Sequence, residues 1–192
     1  MSHNELEHLK IFIQQIESCY RKADAAISAF VLTFVLADSI CSLYLGKDGK
    51  RANFEHFLTL FEETKRYSQA NLYKLVRCPL LHNFSVSGFL FTHGRPSIHM
   101  NREPNSNQLI LNFEDFFGDI RTVTEKIIEQ VENPKNEADQ EIKNTVANRI
   151  KKRGVIHKME VHSPAEFDQK NFSQPHFKTH PEVFSASGTS IL

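Results

Sequence analysis

The sequence predicts a mainly α-helical protein, an antiparallel helical bundle with a small β-hairpin inserted and extra helices towards the C-terminal end. Apolar residues recur at spacings of three and four in several long segments, which is typical of helices with one buried face. The chain holds 16 Phe and no Trp, so most of its aromatic area is suited to a core. Glycine- and proline-containing turns separate the periodic segments.

Four helices are expected in the first part of the chain. The first covers residues 4–21, the second residues 24–45 with Asp24 as its N-cap, and the third residues 52–67, while the fourth begins near residue 68. Pro79 falls inside the fourth helix, where its ring clashes with the carbonyl of Leu75. We therefore expect this helix to kink or end at residues 76–78, with a single turn resuming at Pro79.

Strand-like segments follow. Residues 87–92 and 97–100 flank the sequence His-Gly-Arg-Pro and predict a β-hairpin, and residues 108–112 fit a further strand. A fifth helix is expected after Asn112 as N-cap, and a mostly polar sixth helix over residues 135–153. The apolar stripe of the sixth helix is narrow, so we expect it to lie on a surface or to pair with a partner. Its terminal Lys-Lys-Arg run fits helix capping better than nucleic-acid contact.

These elements define three regions. Residues 1–132 form a helical bundle domain with the hairpin at about 87–112, residues 133–154 form a polar accessory helix, and residues 155–192 form an irregular C-terminal tail. The tail is rich in Ser, Pro, His and isolated Phe without periodicity. The accessory helix and the tail are candidate docking segments for a protein partner.

The charge balance and the cysteines limit the class of protein. Lys plus Arg and Asp plus Glu are both 23, so a broad basic face for duplex nucleic acid is not expected, although a small local basic site remains open. Three cysteines without paired spacing argue against a disulfide framework. The polar, acidic N-terminus does not resemble a signal peptide. We expect a cytoplasmic protein.

The second helix raises the question of a membrane. Residues 25–45 carry one ionised side chain, that of Asp38, and a spanning helix needs about 20 predominantly apolar residues. A carboxylate well inside such a span is costly. A buried helix of a bundle is the favoured interpretation, and no membrane association is expected.

No familiar catalytic or cofactor motif is present. The chain lacks a phosphate-binding Gly-rich loop, a Gly-x-Ser-x-Gly elbow and a His-Glu-x-x-His sequence. His176 and His180 have a spacing found in zinc sites, but no cysteine pair accompanies them. We expect no metal and no cofactor.

The chemically suggestive segment is Arg77-Cys78-Pro79-Leu80-Leu81-His82. Its arginine and histidine stand among apolar residues, and burying an unpaired guanidinium is costly. Asp38, the lone carboxylate of the second helix, is the expected partner of Arg77. Two interpretations remain open, an ion pair that only fixes helix register and a carboxylate that orients Arg77 beside His82. A second Arg-x4-His match, Arg51 to His56, is expected to be surface.

The helical order and the segment at residues 72–84 resemble the HEPN superfamily (higher eukaryotes and prokaryotes nucleotide-binding). Members are helical bundles in which Arg, four to six residues and His lie near the end of a late core helix. The resemblance covers roughly residues 4–84 in helical pattern. Catalytic members commonly have Asn, Asp or His directly after the arginine, where this chain has Cys78.

The resemblance implies metal-independent RNA cleavage, often in toxins, phage defence or RNA processing, by a homodimer with a composite cleft. His82 would be the general acid or base, and Arg77 would stabilise charge on phosphate. Five helical residues place the two side chains about 140° apart, so a two-fold contact suits them better than one chain.

Three nearby residues have possible supporting roles. Tyr73 can stack a base or pack at an interface, Asn83 can contact phosphate or cap the helix, and Cys78 fits inert packing. The alternative function is a non-catalytic HEPN-like module that binds a nucleotide or a protein partner. A protein partner or an antitoxin is expected to bind through the C-terminal helix or tail.

Overall fold

The structure is a computed structural model that describes residues 4–23, 25–48, 50–83 and 88–153. It does not describe the side chains of residues 4, 5, 23, 81–83 and 153. Asp24, the predicted N-cap, and the predicted tail at residues 155–192, with His176 and His180, lie outside the described residues.

The described residues form seven α-helices and two short strands. The helices are α1 (Asn4–Ala23), α2 (Ala26–Leu45), α3 (Arg51–Thr59), α4 (Glu62–Lys65), α5 (Cys78–Asn83), α6 (Phe113–Glu132) and α7 (Glu137–Arg153). The strands are β1 (Phe89–Thr92) and β2 (Leu109–Asn112). A π-helical turn, Tyr73–Arg77, precedes α5, and a 3-10 turn, Pro96–Ile98, follows β1. The predicted mainly helical fold is confirmed at this level.

Helix α2 lies at the centre of the bundle. It packs against α1, α3, α6 and α7, which explains why apolar residues occupy nearly all of its circumference. Its buried residues are Ala29, Phe30, Thr33, Phe34, Leu36, Ala37, Ile40, Cys41 and Ser42. By length and composition α2 is also apolar enough to cross a membrane, and half of its most apolar window is buried within the protein.

The predicted β-hairpin is wrong. β1 pairs with β2 in parallel, with Phe89 opposite Leu109 and Thr92 opposite Asn112. The expected second hairpin strand instead begins as the 3-10 turn, and the chain beyond it runs along the other side of β2. The Met100 amide donates to the Ile110 carbonyl at 2.7 Å. Parallel strands need a long connection, and residues 93–108 supply it.

The single helix predicted for residues 52–67 is also wrong, because it is interrupted after α3. Phe61 has extended backbone angles, φ −124° and ψ 137°, so the helix cannot continue through it. The buried Thr64 hydroxyl donates to the carbonyl of Leu58 at 3.1 Å and satisfies a group that the break leaves open. The break places Tyr67 in the core, with no exposed surface.

The polar accessory helix is present as α7 and packs on its own chain, against α2 and α6. Asn136 caps it, since the amide of Asp139 donates to its side-chain oxygen at 2.9 Å. Val146 is buried, and Ile142 and Ile150 pack against the core. The narrow apolar stripe of α7 therefore packs against α2 and α6 of the same chain.

Candidate functional site

The expected pairing of Asp38 with Arg77 is present. The Arg77 Nη2 atom donates to Asp38 Oδ2 at 2.7 Å, and the two side chains are 16% and 23% exposed. The pair joins the middle of α2 to the last residue of the π-helical turn. Most of both side chains is removed from water, which strengthens their attraction.

The π-helical turn positions Arg77. The Cys78 amide donates to the carbonyl of Tyr73, five residues earlier, rather than to the residue four earlier as in an α-helix. An α-helical path would press the Pro79 ring against the Leu75 carbonyl, and the wider turn relieves this clash. The helix then resumes as α5, as predicted. Pro79 thus explains why the turn before it is widened, a geometry frequent at functional sites.

Tyr73 and Cys78 both contact the guanidinium. The carbon at its centre lies 4.9 Å from the middle of the Tyr73 ring, a cation–π contact. The Arg77 Nη1 atom lies 3.9 Å from Cys78 Sγ, within donor distance of sulfur. The Tyr73 ring also packs on Phe54 at 5.7 Å. Asp38, Tyr73 and Cys78 therefore form one cluster with Arg77, as the sequence had grouped them.

The electrostatics of this cluster keep Arg77 charged and the nearest buried thiol neutral. Burial is the largest single influence and opposes the guanidinium charge, but the hydrogen bond that Arg77 donates to Asp38, together with the charges of Asp38 and Tyr73, outweighs it, so the pKa of Arg77 is raised. Burial, with a smaller contribution from the Asp38 charge, raises the pKa of Cys41 to about 12. Burial is also the largest cause of the raised pKa of Tyr73. These groups cannot serve as bases near neutral pH.

The ion pair is incomplete. Arg77 Nε and Asp38 Oδ1 are buried and have no hydrogen-bond partner within the described part of the chain. A guanidinium and a carboxylate can form two parallel hydrogen bonds, and this pair forms one. Each ion thus keeps unused hydrogen-bonding capacity, which a fully satisfied structural pair would lack.

His82 and Asn83 belong to α5, but their side chains are outside the described residues. The structure therefore shows the helix that carries them and does not place either side chain beside Arg77. The second Arg-x4-His match lies at the surface, as expected. Arg51 donates to Glu55 at 2.7 Å and to Asn71 at 2.7 Å, and His56 is exposed.

Sequence reasoning missed a second polar cluster, which joins the residues after α4 and after the 3-10 turn to β2 and α6. The Tyr67 hydroxyl contacts His99 Nε2 at 2.9 Å and donates to Asp119. Arg66 pairs with the same carboxylate, and the backbone amide of Asn112 donates to His99 Nδ1 at 3.0 Å. These residues are distant in sequence, and no spacing pattern could have identified them.

The hydrogen bonds of this cluster define the state of His99. Because Nδ1 accepts from an amide, the ring proton is on Nε2 and donates to the Tyr67 oxygen. Burial, and then the Arg66 charge, lower the pKa of His99. Both ring nitrogens are occupied, so the cluster anchors the connection between β1 and β2.

Within residues 4–153 as described, no group of three His, Cys, Asp or Glu side chains is arranged to hold a metal ion. Models of known protein families gave no match to this chain, and neither the curated proteins nor the solved structures gave a match. The assignment of function therefore depends on the geometry around Arg77.

Proposed function

We propose that this chain is a HEPN-like, metal-independent endoribonuclease that acts as a homodimer, with Arg77 and His82 in a composite site. The supporting observation is the Arg77 guanidinium, which is held by Asp38 and Tyr73 and is partly exposed. The helix that carries His82 begins at the next residue.

The proposed reaction uses a nucleophile supplied by the RNA. His82 takes the proton of a ribose 2′-hydroxyl, and the 2′-oxygen bonds to the adjacent phosphorus while the bond from phosphorus to the 5′-oxygen breaks. The departing 5′-oxygen takes a proton from water, and a 2′,3′-cyclic phosphate remains. Arg77 stabilises the charge that develops on the phosphoryl oxygens. No metal is required.

Asp38 would then be a positioning residue, since its carboxylate sets the direction of Arg77. Tyr73 supports the guanidinium face and Cys78 packs beside it, while Asn83 would contact phosphate or cap α5. A toxin or phage-defence role, in the cytoplasm and with an antitoxin or other protein partner, fits this activity and is proposed with it.

Cleavage of RNA in the presence of a chelator tests the activity. We expect the wild-type chain to cleave, and Arg77→Ala and His82→Ala to reduce cleavage by at least about 100-fold, the range of one general acid–base contribution. His56→Ala, in the second Arg-x4-His match, is the matched control and should retain full activity. Unchanged cleavage by both site variants would remove the proposal.

Co-expression of Arg77→Ala with His82→Ala tests the composite site. A mixed dimer holds one intact arginine and one intact histidine, so a site shared between subunits regains activity. A site built within one chain does not. Size-exclusion chromatography of the same samples reports whether dimers form.

A second candidate is a non-catalytic helical module. It is favoured by the burial of Arg77, because only 16% of its side chain is exposed to solvent. One of its hydrogen bonds is also already donated to Asp38. On this alternative, Arg77→Ala lowers the Tm or separates the dimer, and the wild-type chain cleaves no RNA. The chelator assay therefore separates the two candidates.

A further inference from the structure

A cavity of about 380 Å³ opens to solvent where the end of α6, the α6–α7 connection and the start of α7 meet the helix break at Phe61. Small-molecule sites usually measure roughly 300–1,000 Å³, so this cavity has room for one small ligand and not for a length of polymer. The cluster around Arg77 contributes none of its lining residues. The cavity is therefore a second candidate site, separate from the first.

The aromatic wall of the cavity is held in place by the core. Phe61 has extended backbone angles, and the centroid of its ring lies 5.4 Å from that of Tyr44 and 5.5 Å from that of Phe57. Phe61 is half-buried, so part of its side chain remains available at the cavity. An aromatic wall favours a planar ligand, because flat rings gain contact area by stacking.

A second wall of the cavity is the start of α7, which is fixed by reciprocal hydrogen bonds. The Asn136 side-chain oxygen accepts from the amide of Asp139 at 2.9 Å, and Asp139 Oδ2 accepts from the amide of Lys135 at 2.9 Å. Asp139 is only 7% exposed and forms no ion pair with any described residue. Its carboxylate, which lines the cavity, is thus stabilised by the helix start and not by a cation.

Gln130 brings an unsatisfied acceptor to the cavity that it lines. Its Oε1 atom is buried and has no hydrogen-bond partner among the residues that the structure describes. A buried acceptor without a donor is costly, and a ligand that brings an N–H group to it removes this cost. Together with the Asp139 carboxylate, it makes the lining suitable for a ligand with more than one donor.

The charges around the cavity disfavour an anionic ligand. Lys126 and Lys135 both line it, but each already has a carboxylate partner. Lys126 pairs with Glu63, and Lys135 pairs with Glu129 at 2.8 Å. A phosphate would have to compete with these carboxylates and would be repelled by that of Asp139. An uncharged ligand meets neither obstacle.

We propose that this cavity binds an uncharged purine nucleoside of the guanine type. Guanine combines a flat ring with two adjacent donors on one edge, the N1–H group and the N2 amine. The ring suits the wall formed by Phe61, and the donor edge suits the acceptors of Gln130 and Asp139. The inference goes beyond the proposed ribonuclease and does not depend on it.

Calorimetric titration of the full chain with guanosine tests the inference. We expect saturable binding with one site per chain. Inosine, which keeps the N1–H group and lacks the N2 amine, should bind about 10-fold more weakly, because it leaves a buried acceptor unpaired. Guanosine 5′-monophosphate should bind no more tightly than guanosine, since both lysines are already paired.

Gln130→Met removes the unsatisfied acceptor and keeps a long, unbranched side chain. We expect the affinity for guanosine to fall at least about 10-fold, while the Tm is retained because the amide oxygen has no partner to lose. Phe61→Leu should also weaken binding, since it removes the ring. Gln140→Met is the matched control, because Gln140 is exposed on α7 and does not line the cavity, and it should retain the wild-type affinity.

Three results would overturn the inference. They are no binding of guanosine by the wild type, an unchanged affinity in Gln130→Met, and an equal loss in Gln130→Met and Gln140→Met. Tighter binding of the monophosphate than of the nucleoside would also overturn it, by assigning the cavity to an anion. Because the titration measures no cleavage, its failure leaves the ribonuclease proposal unchanged.

Discussion

Asp38 and Arg77 each need the other to stabilise their charge, because most of both side chains is removed from water. Removing one partner leaves the other as an uncompensated charge. This pairing was predictable from the sequence, because Asp38 is the lone carboxylate of an apolar helix and Arg77 stands between apolar residues. The sequence could not predict that the pair lacks a second hydrogen bond, because this depends on the exact direction of the guanidinium.

A double-mutant cycle tests this dependence. We expect Asp38→Ala and Arg77→Ala each to lower the free energy of unfolding by roughly 2 kcal/mol, with a coupling energy of about 1–2 kcal/mol. Urea denaturation measures both. The exposed pair Glu62–Lys65, with side chains 86% and 61% exposed, is the control and should couple by less than about 0.5 kcal/mol. Additive losses at Asp38 and Arg77 would contradict the expectation.

His99 makes the stability of the chain sensitive to acid. Its pKa is lowered in the folded state, mainly by burial, so the unfolded chain binds the proton more readily. The contribution of His99 is therefore complete above its ordinary pKa of 6.5 and is lost as the pH falls below it. Protonation would also oppose the Asn112 amide that donates to Nδ1.

Urea denaturation between pH 5 and pH 7.5 measures this effect. Stability of the wild type should fall on acidification by more than that of His99→Gln. Exposed His56 on α3 provides the control, and His56→Gln should follow the wild type. Parallel curves for wild type and His99→Gln would show that the His99 cluster does not act in this way.

At the scale of elements, periodicity predicted where helices lie better than where they break. The positions of α1, α6 and α7 follow from their apolar spacing, and the position of α2 follows from its nearly uninterrupted apolar stretch. The break between α3 and α4 does not, because Phe61 continues the apolar pattern while its backbone is extended. The direction of β1 against β2 depends on how residues 93–108 pack against the bundle, which local sequence does not encode.

Pro79 should control the π-helical turn. Pro79→Ala restores an amide that can donate to the Leu75 carbonyl and removes the clash that widens the turn. We expect residues 73–77 to become α-helical, turning Arg77 away from Asp38. The coupling energy of the Asp38–Arg77 cycle, measured again in this background, should then fall close to zero.

Pro96→Ala is the control for Pro79→Ala, since Pro96 opens the 3-10 turn on another part of the surface. It should leave the coupling unchanged. If the coupling also persists in Pro79→Ala, the π-helical turn has a cause other than the proline.

At the scale of the whole molecule, the second helix is the centre of the core, and its composition follows from contact with four other helices. The sequence predicted this role from the lone carboxylate in an apolar stretch. It could not predict which helices surround α2, because their order in space depends on packing between distant segments. A HEPN-like bundle remains a proposal at this scale.

Replacing core and surface residues of α2 distinguishes a core helix from a membrane span. Phe34 has no exposed surface, whereas Ile27 is 64% exposed. In detergent-free buffer, Phe34→Ala should lower the free energy of unfolding by about 3–5 kcal/mol, and Ile27→Ala by no more than about 0.5 kcal/mol. A requirement for detergent, or similar effects of both changes, would favour the membrane interpretation.

The position of α2 in the chain has a consequence during translation. Helix α2 is synthesised before α6 and α7, which cover it and lie about 70–110 residues later in the chain. At the roughly 5–20 residues per second of synthesis, a segment apolar enough to enter a bilayer waits several seconds for its cover. In that interval the nascent chain is exposed to chaperones and to the membrane-targeting machinery, and the outcome of that competition decides how much protein reaches its native fold.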